Sequence, residues 1–150
     1  MLLATGTIAV GDREEWTDAT GSTLIVRPHL RLAQFRTRGF LSDELEYFGR
    51  SRNIAMLDEL VARGEPPAFQ GFYDWAEMTG YTTGARTQST SFVLSRRKHF
   101  ALIYILFRSP LVATSIKVAN MRLGGFVQAT TSREEFERRL AAAVEAAPTA

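Results

Sequence analysis

The alternation of apolar and polar residues places most elements before any other property is considered. Thr23–Arg27 is β-branched and apolar, and Pro28-His29 then interrupts it. Leu30, Leu32 and Gln34 alternate with Arg31, Ala33 and Phe35 as far as Arg38, the period of a half-buried strand. The two runs read as a β-hairpin joined near Pro28-His29. Leu45, Phe48, Met56, Leu57, Leu60 and Val61 then form an imperfect helical stripe. Ser42 or Asp43 can cap its start, and Asp43 with Glu46 has capping-box spacing. Gly64 and Pro66-Pro67 stop it, so a helix is expected over Asp43–Arg63, bent near Gly49.

Phe69–Trp75 reads as a short strand, and Gly80–Gly84 as a turn into a helix over Thr83–Arg97. That helix has a thin apolar side, Ala85, Ser89, Phe92 and Val93, and is otherwise polar. Phe100–Phe107 is continuously apolar, which suits a strand covered on both faces. Ser109-Pro110 opens a helix running to about Arg122, ended by Gly124-Gly125. Phe126–Ala129 is a last short strand, and Ser132 with Glu135 caps a final helix carrying Phe136, Leu140 and Val144.

The expected order from Thr23 is therefore β-β-α-β-α-β-α-β-α. This is an α/β fold: a small, mixed, mostly parallel sheet with right-handed crossovers and helices packed on it. Residues 1–21 read as an N-terminal extension or added strand, 22–145 as the domain, and 146–150 as a frayed tail. In the first segment Leu2, Leu3, Ile8 and Val10 offer strand residues, but Gly6, Gly11 and Gly21 interrupt them; Trp16 is a candidate to lie on the domain body.

Composition removes chemistries. The chain has 150 residues, 45% hydrophobic and 23% charged, a globular balance of single-domain size. With no cysteine there are no disulfides, thiolate metal sites or thiol nucleophiles, and His29 and His99 alone cannot build a histidine cage. The net charge is +2, carried mostly by arginine, with Lys98 and Lys117 the only lysines. No block of like charges suggests nucleic-acid binding. The apolar start lacks the basic stretch of a signal peptide, and no run reaches the roughly 20 residues that span a bilayer. A cytoplasmic protein without cofactor or metal is the expectation.

Several strings resemble the STAS superfamily, and within it the SpoIIAA-like (STAS/SEC14-type) bacterial group. They are Phe72-Tyr-Asp-Trp-Ala-Glu-Met-Thr-Gly-Tyr81 with Ala85-Arg86, Ile105–Ala113, Val118–Gly125 and Thr131–Phe136. The resemblance covers about residues 23–143. It implies a sheet with helices on one side and a non-enzymatic role in protein–protein regulation, with a kinase, an anti-sigma-like protein or another regulator as partner. In the founding members a serine at the start of the second helix is phosphorylated. That position falls near Thr83, with Thr82 where the pattern has Asp, so the Asp-Ser signature is missing. The expected partner surface is Thr82, Thr83, Arg86, Gln88 and Thr90, with Thr83 the candidate phosphosite.

Other readings compete. A small-ligand or lipid-binding module would use a pocket lined by Phe72, Trp75 and Tyr81. A self-assembling scaffold, or homo-oligomer, would use residues 1–21 to extend another copy's sheet edge. Ser109, His99 and Asp74 contain the residue types of a hydrolase, without a nucleophile-elbow motif. Gly80–Gly84 before a helix offers amides to an anion but is no nucleotide motif. Asp74 and Glu77 could be an acid pair, though a cap for the next turn is the plainer reading. Arg96-Arg97-Lys98 reads as cations at a helix C-terminus.

Overall fold

The structure, a computed structural model, describes residues 13–29, 31–64 and 68–146. Among them the order is β1 (Glu14–Thr17), β2 (Thr23–Pro28), β3 (Leu32–Leu41), α1 (Asp43–Ala62), β4 (Phe69–Tyr81), α2 (Thr83–Ser95), β5 (Phe100–Phe107), α3 (Pro110–Leu123), β6 (Val127–Thr130) and α4 (Arg133–Ala146). A 3-10 turn over Arg97–His99 links α2 to β5. The strands form one six-stranded sheet in the order of the chain. β1, β2 and β3 are antiparallel neighbours; β3, β4, β5 and β6 are parallel.

This topology dictates where the helices go. Parallel crossovers are right-handed, and here each moves one strand in the same direction, so their helices must lie on one face. The buried side chains agree. Leu45, Met56 and Leu57 of α1, Ala85 of α2, and Val112 and Ile116 of α3 pack with Phe35, Ile103 and Ile105 of the sheet. α4 makes no crossover and covers the opposite face, where Phe136, Leu140 and Val144, spaced one turn apart, meet Leu32, Phe72, Tyr104 and Leu106. The resemblance implied helices on one side only; this fourth helix is the exception. The apolar run of β5 follows directly: Ile103 and Ile105 face one layer, Tyr104 and Leu106 the other.

Glu14–Thr17 lies inside the segment read as an extension or added strand, and it completes the sheet of its own chain, with Trp16 against Phe48 of α1. Leu2, Leu3, Ile8 and Val10 lie outside the described residues. β4 is longer than expected. It runs to Tyr81 rather than Trp75, because β3 reaches Leu41 and pairs with it as far as Tyr81. Register shifts interrupt that pairing between Arg36 and Arg38 and between Gly39 and Phe40. Gly80 is therefore in a strand, beside the Phe40 ring, where an added Cβ would come within 3.2 Å of it.

α4 is pinned by an ion pair between a half-exposed guanidinium and a buried carboxylate. Arg133 at its start donates to both oxygens of Asp74, at 3.0 and 3.2 Å. The Asp74 carboxylate is only 3% exposed. The pair holds the Arg133 guanidinium above its ordinary pKa. Without Arg133 the buried carboxylate keeps only the Ala76 amide at 3.2 Å and the more distant Arg36 at 3.9 Å. Arg133→Ala is expected to lower stability by about 1.5 kcal/mol in urea denaturation, the scale of hydrogen bonds to a charged group. Arg138→Ala, at an exposed position of the same helix, should change it by less than about 0.5 kcal/mol.

Candidate functional site

In a parallel sheet every strand delivers its chain to the same end, so α1, α2, α3 and α4 all begin there. Each start is capped by a hydroxyl: Ser42 accepts from the Leu45 amide, Thr82 from Ala85, Ser109 from Leu111 and Ser132 from Glu135. Such caps satisfy amides the helix itself leaves free. Two of them also carry a carboxylate. The Ser42 hydroxyl donates to Asp18 Oδ2 at 2.7 Å, and the Thr82 hydroxyl donates to Asp43. Hydrogen bonds from Thr20 and Ser42 hold the Asp18 carboxyl below its usual range.

This corner contains the expected partner surface, arranged differently from the sequence reading. Thr82 is a cap, engaged on both sides. Thr83, the first residue of α2, is exposed, and so is Gln88. Arg86 and Thr90 turn inward to line a cavity. The residue immediately before Thr83 is not an acid, but the fold supplies one. Asp43 sits so close to the start of α2 that a Cβ on Gly84 would be 2.8 Å from its Oδ1. Sequence separation hid this contact.

The cavity lies between the sheet and α1, α2 and α3. Its volume is about 140 Å³ and its walls are mainly apolar. It exists because α2 packs loosely: Ala85 is its buried residue, while Phe92 and Val93 are only partly covered. Trp75 and Tyr81 line it, and the Tyr81 and Ser115 hydroxyls are hydrogen-bonded at its edge. Phe72, grouped with them from the sequence, does not. Side chains alternate along β4, so Phe72 points the other way, into Tyr104 and Phe136. Tyr73, which faces the cavity, was the residue to choose. Burial pushes its hydroxyl up to about 12 from an ordinary 10.0; the Asn53 amide opposes the shift and the Glu46 charge reinforces it.

The other sequence candidates are dispersed. His99 ends the turn before β5 and Ser109 follows that strand, so the strand's length, roughly 26 Å at ~3.3 Å per residue, separates them. Asp74 lies on the α4 face, bound to Arg133. Glu77 pairs with Arg36 and Arg38 and is held below its usual range first by the Arg36 hydrogen bond. Neither acid caps α2, which Thr82 does. Arg96 pairs with Asp58, and Arg97 lies over the Phe126 ring. Arg27, Arg36, Arg38 and Arg133 line a polar hollow on the α4 face of the sheet. Among the described residues no cluster of three or more His, Asp or Glu could hold a metal ion, and no helix is long and apolar enough to cross a membrane.

No family model matches the sequence, and no curated protein matches it. Solved structures do. One is an uncharacterized protein of the DUF3478 family with a SpoIIAA-like fold, from Shewanella loihica: TM-score 0.54, 16% identity, covering 89% of this chain and 98% of that one. Another is the anti-sigma factor antagonist SpoIIAA in its unphosphorylated form: TM-score 0.51, 13% identity, covering 79% of this chain and 97% of that one. The chain thus has a SpoIIAA-like fold, and at these identities the likeness is one of fold alone.

Two outcomes follow. Thr82→Ala removes the cap of α2 and should cost about 1 kcal/mol in denaturant unfolding. Tyr73 keeps its proton in the folded state above the pH at which the unfolded chain loses it, so the unfolded state binds fewer protons and stability falls as pH rises from 10.0 toward 12. Over that interval wild-type stability should fall more steeply with pH than that of Tyr73→Phe.

Proposed function

We propose that the chain is a non-enzymatic regulatory module that binds a protein partner at the end of the sheet where its helices begin, centred on the first turns of α2 and α3. The observation that carries this reading is the exposed Thr83 at the first position of α2, beside Asp43, in a SpoIIAA-like fold. An apolar strip supports it. Leu111, in the first turn of α3, is 52% exposed, and Val118 and Met121 continue along the same side toward the far end of the helix at 42% and 84%. A grouped apolar surface of this kind is the usual ground for protein contact.

The kind of partner follows from the surface. Thr83 and Gln88 offer hydrogen bonds, Asp43 adds one negative charge, and α3 adds apolar area. Phosphate on Thr83 would bring nearly two more negative charges next to Asp43. In this reading phosphorylation weakens docking by repulsion and by the cost of desolvating the phosphate. The relative solved as an anti-sigma factor antagonist motivates the search for a kinase or anti-sigma-like regulator as that partner.

Affinity purification with tagged protein tests the surface. Thr83→Glu and Gln88→Glu, both at exposed positions of α2, should lower recovery of a specific partner at least about tenfold, the loss expected when a charge is misplaced in an interface. Arg138→Glu, on the helix of the opposite face, should leave it unchanged. If both α2 variants keep every partner bound, the surface is wrong.

A further inference from the structure

α4 covers only part of its face of the sheet. It packs on Leu32, Phe72, Tyr104 and Leu106. Beside it, over β2 and β3, lies a hollow of about 270 Å³ with mainly polar walls. Residues directly opposite one another on paired strands share a face, and the register sets Arg27 opposite Gln34 and Arg36 opposite Ile25. All four line the hollow. Arg38 follows two residues after Arg36, Arg13 approaches from just before β1, and Arg133 from the start of α4. Five arginines thus converge on one space.

Their counter-charges are unequal. Arg133 holds the buried Asp74 and meets Glu137 at 3.2 Å. Arg36 and Arg38 share Glu77, with Asp74 a further 3.9 Å from Arg36, and Arg13 pairs with Glu15 at 2.5 Å. The Glu77 and Glu15 side chains are 47% and 42% exposed, so these pairs are weak and water can replace either partner. Arg27 is the one arginine of the five with no ion pair among the described residues. Burial, and then the charges of Arg13 and Arg36, push its guanidinium below the ordinary value. Cations gathered in this way repel one another, and an anion entering the hollow would relieve the repulsion.

The chemistry of the walls selects the anion. Guanidinium forks pair bidentately with oxyanions, and a phosphate monoester presents three outer oxygens and nearly two charges to several forks at once. The space equals roughly nine waters at about 30 Å³ each, enough for one phosphate with a small substituent. Glu15, Glu77 and Glu137 stand beside these arginines and oppose a long polyanion.

We infer that this hollow is a binding site for one dianionic phosphate group, free or as the monoester of a small molecule, held by Arg27 together with Arg36 and Arg38. Arg27 supplies the uncompensated charge, and Glu77 releases Arg36 and Arg38 by turning out to water. Asp74 and Arg133 stay paired and form the wall toward α4. The site lies on the opposite face of the sheet from α2, so it stands independently of the docking reading.

Calorimetric titration of the full chain with inorganic phosphate, methyl phosphate and acetate, in a chloride buffer, tests this. Both phosphates should saturate a single site per chain. Acetate, with one charge and two oxygens, should bind at least about tenfold more weakly, the scale of one lost charged hydrogen bond. Tighter binding of methyl phosphate identifies an ester as the ligand, and equal or tighter binding of inorganic phosphate identifies the free ion. Arg27→Gln should weaken phosphate binding at least about tenfold. Glu77→Gln should strengthen it about threefold, the scale of one exposed ion pair. Lys117→Gln, which removes an exposed cation of α3, should leave it unchanged. Phosphate should raise the Tm of the wild type and not that of Arg27→Gln. Absence of saturable phosphate binding, acetate binding as tightly as phosphate, unchanged affinity in Arg27→Gln, no gain in Glu77→Gln, or an equal loss in Lys117→Gln would each overturn the assignment. The acetate comparison needs no variant and stands even if a substituted chain fails to fold.

Discussion

The handedness of the parallel crossover is the constraint on which this molecule depends. Three crossovers of one hand, all stepping the same way across the sheet, put α1, α2 and α3 on one face and start them at one end. Four hydroxyl caps and the Asp18 and Asp43 carboxylates gather there as a consequence. The other face is left to α4, which has no crossover to hold it. It relies instead on three apolar residues one turn apart and on the Arg133–Asp74 pair. Fully burying side chains of that size is worth roughly 1.5–3 kcal/mol each, so packing carries the docking and the ion pair fixes the position.

The packed face is uneven, and the cause is the composition of α2. α1 buries Leu45, Met56, Leu57 and Leu60. α2 has Thr, Ser and Gln where such residues would be, and buries Ala85. A helix so polar can present hydroxyls outward but cannot fill the layer beneath it. The exposed surface at Thr83 and Gln88 and the cavity facing Tyr73 and Trp75 are therefore the outer and inner results of one property.

Much of the fold was legible because it is local. The ends of α1 and α3 follow from Ser42, Ser109-Pro110 and the glycines after them, and Gly124 does close α3 in the left-handed conformation. The two-sided burial of β5 was written in its unbroken apolar run. The reading failed where a distant segment decided the outcome. β4 extends to Tyr81 because β3 is there to pair with it. Asp74 answers Arg133, and Asp43 answers Thr82, partners 59 and 39 residues apart.

The candidate site divides in the same way. The sequence by itself determined that Thr83 begins a helix, that this helix is polar, and that cysteine chemistry has no residues to use. Tertiary structure alone decided which strand faces meet the helices, and so excluded Phe72 from the cavity and placed Tyr73 in it. It also decided that Arg86 and Thr90 face inward and that Arg27 shares a hollow with four other arginines. The physical reason is range. Propensity, capping and periodicity act over a few residues, whereas a cavity, an ion pair or a cluster of arginines is defined by side chains that only packing brings together.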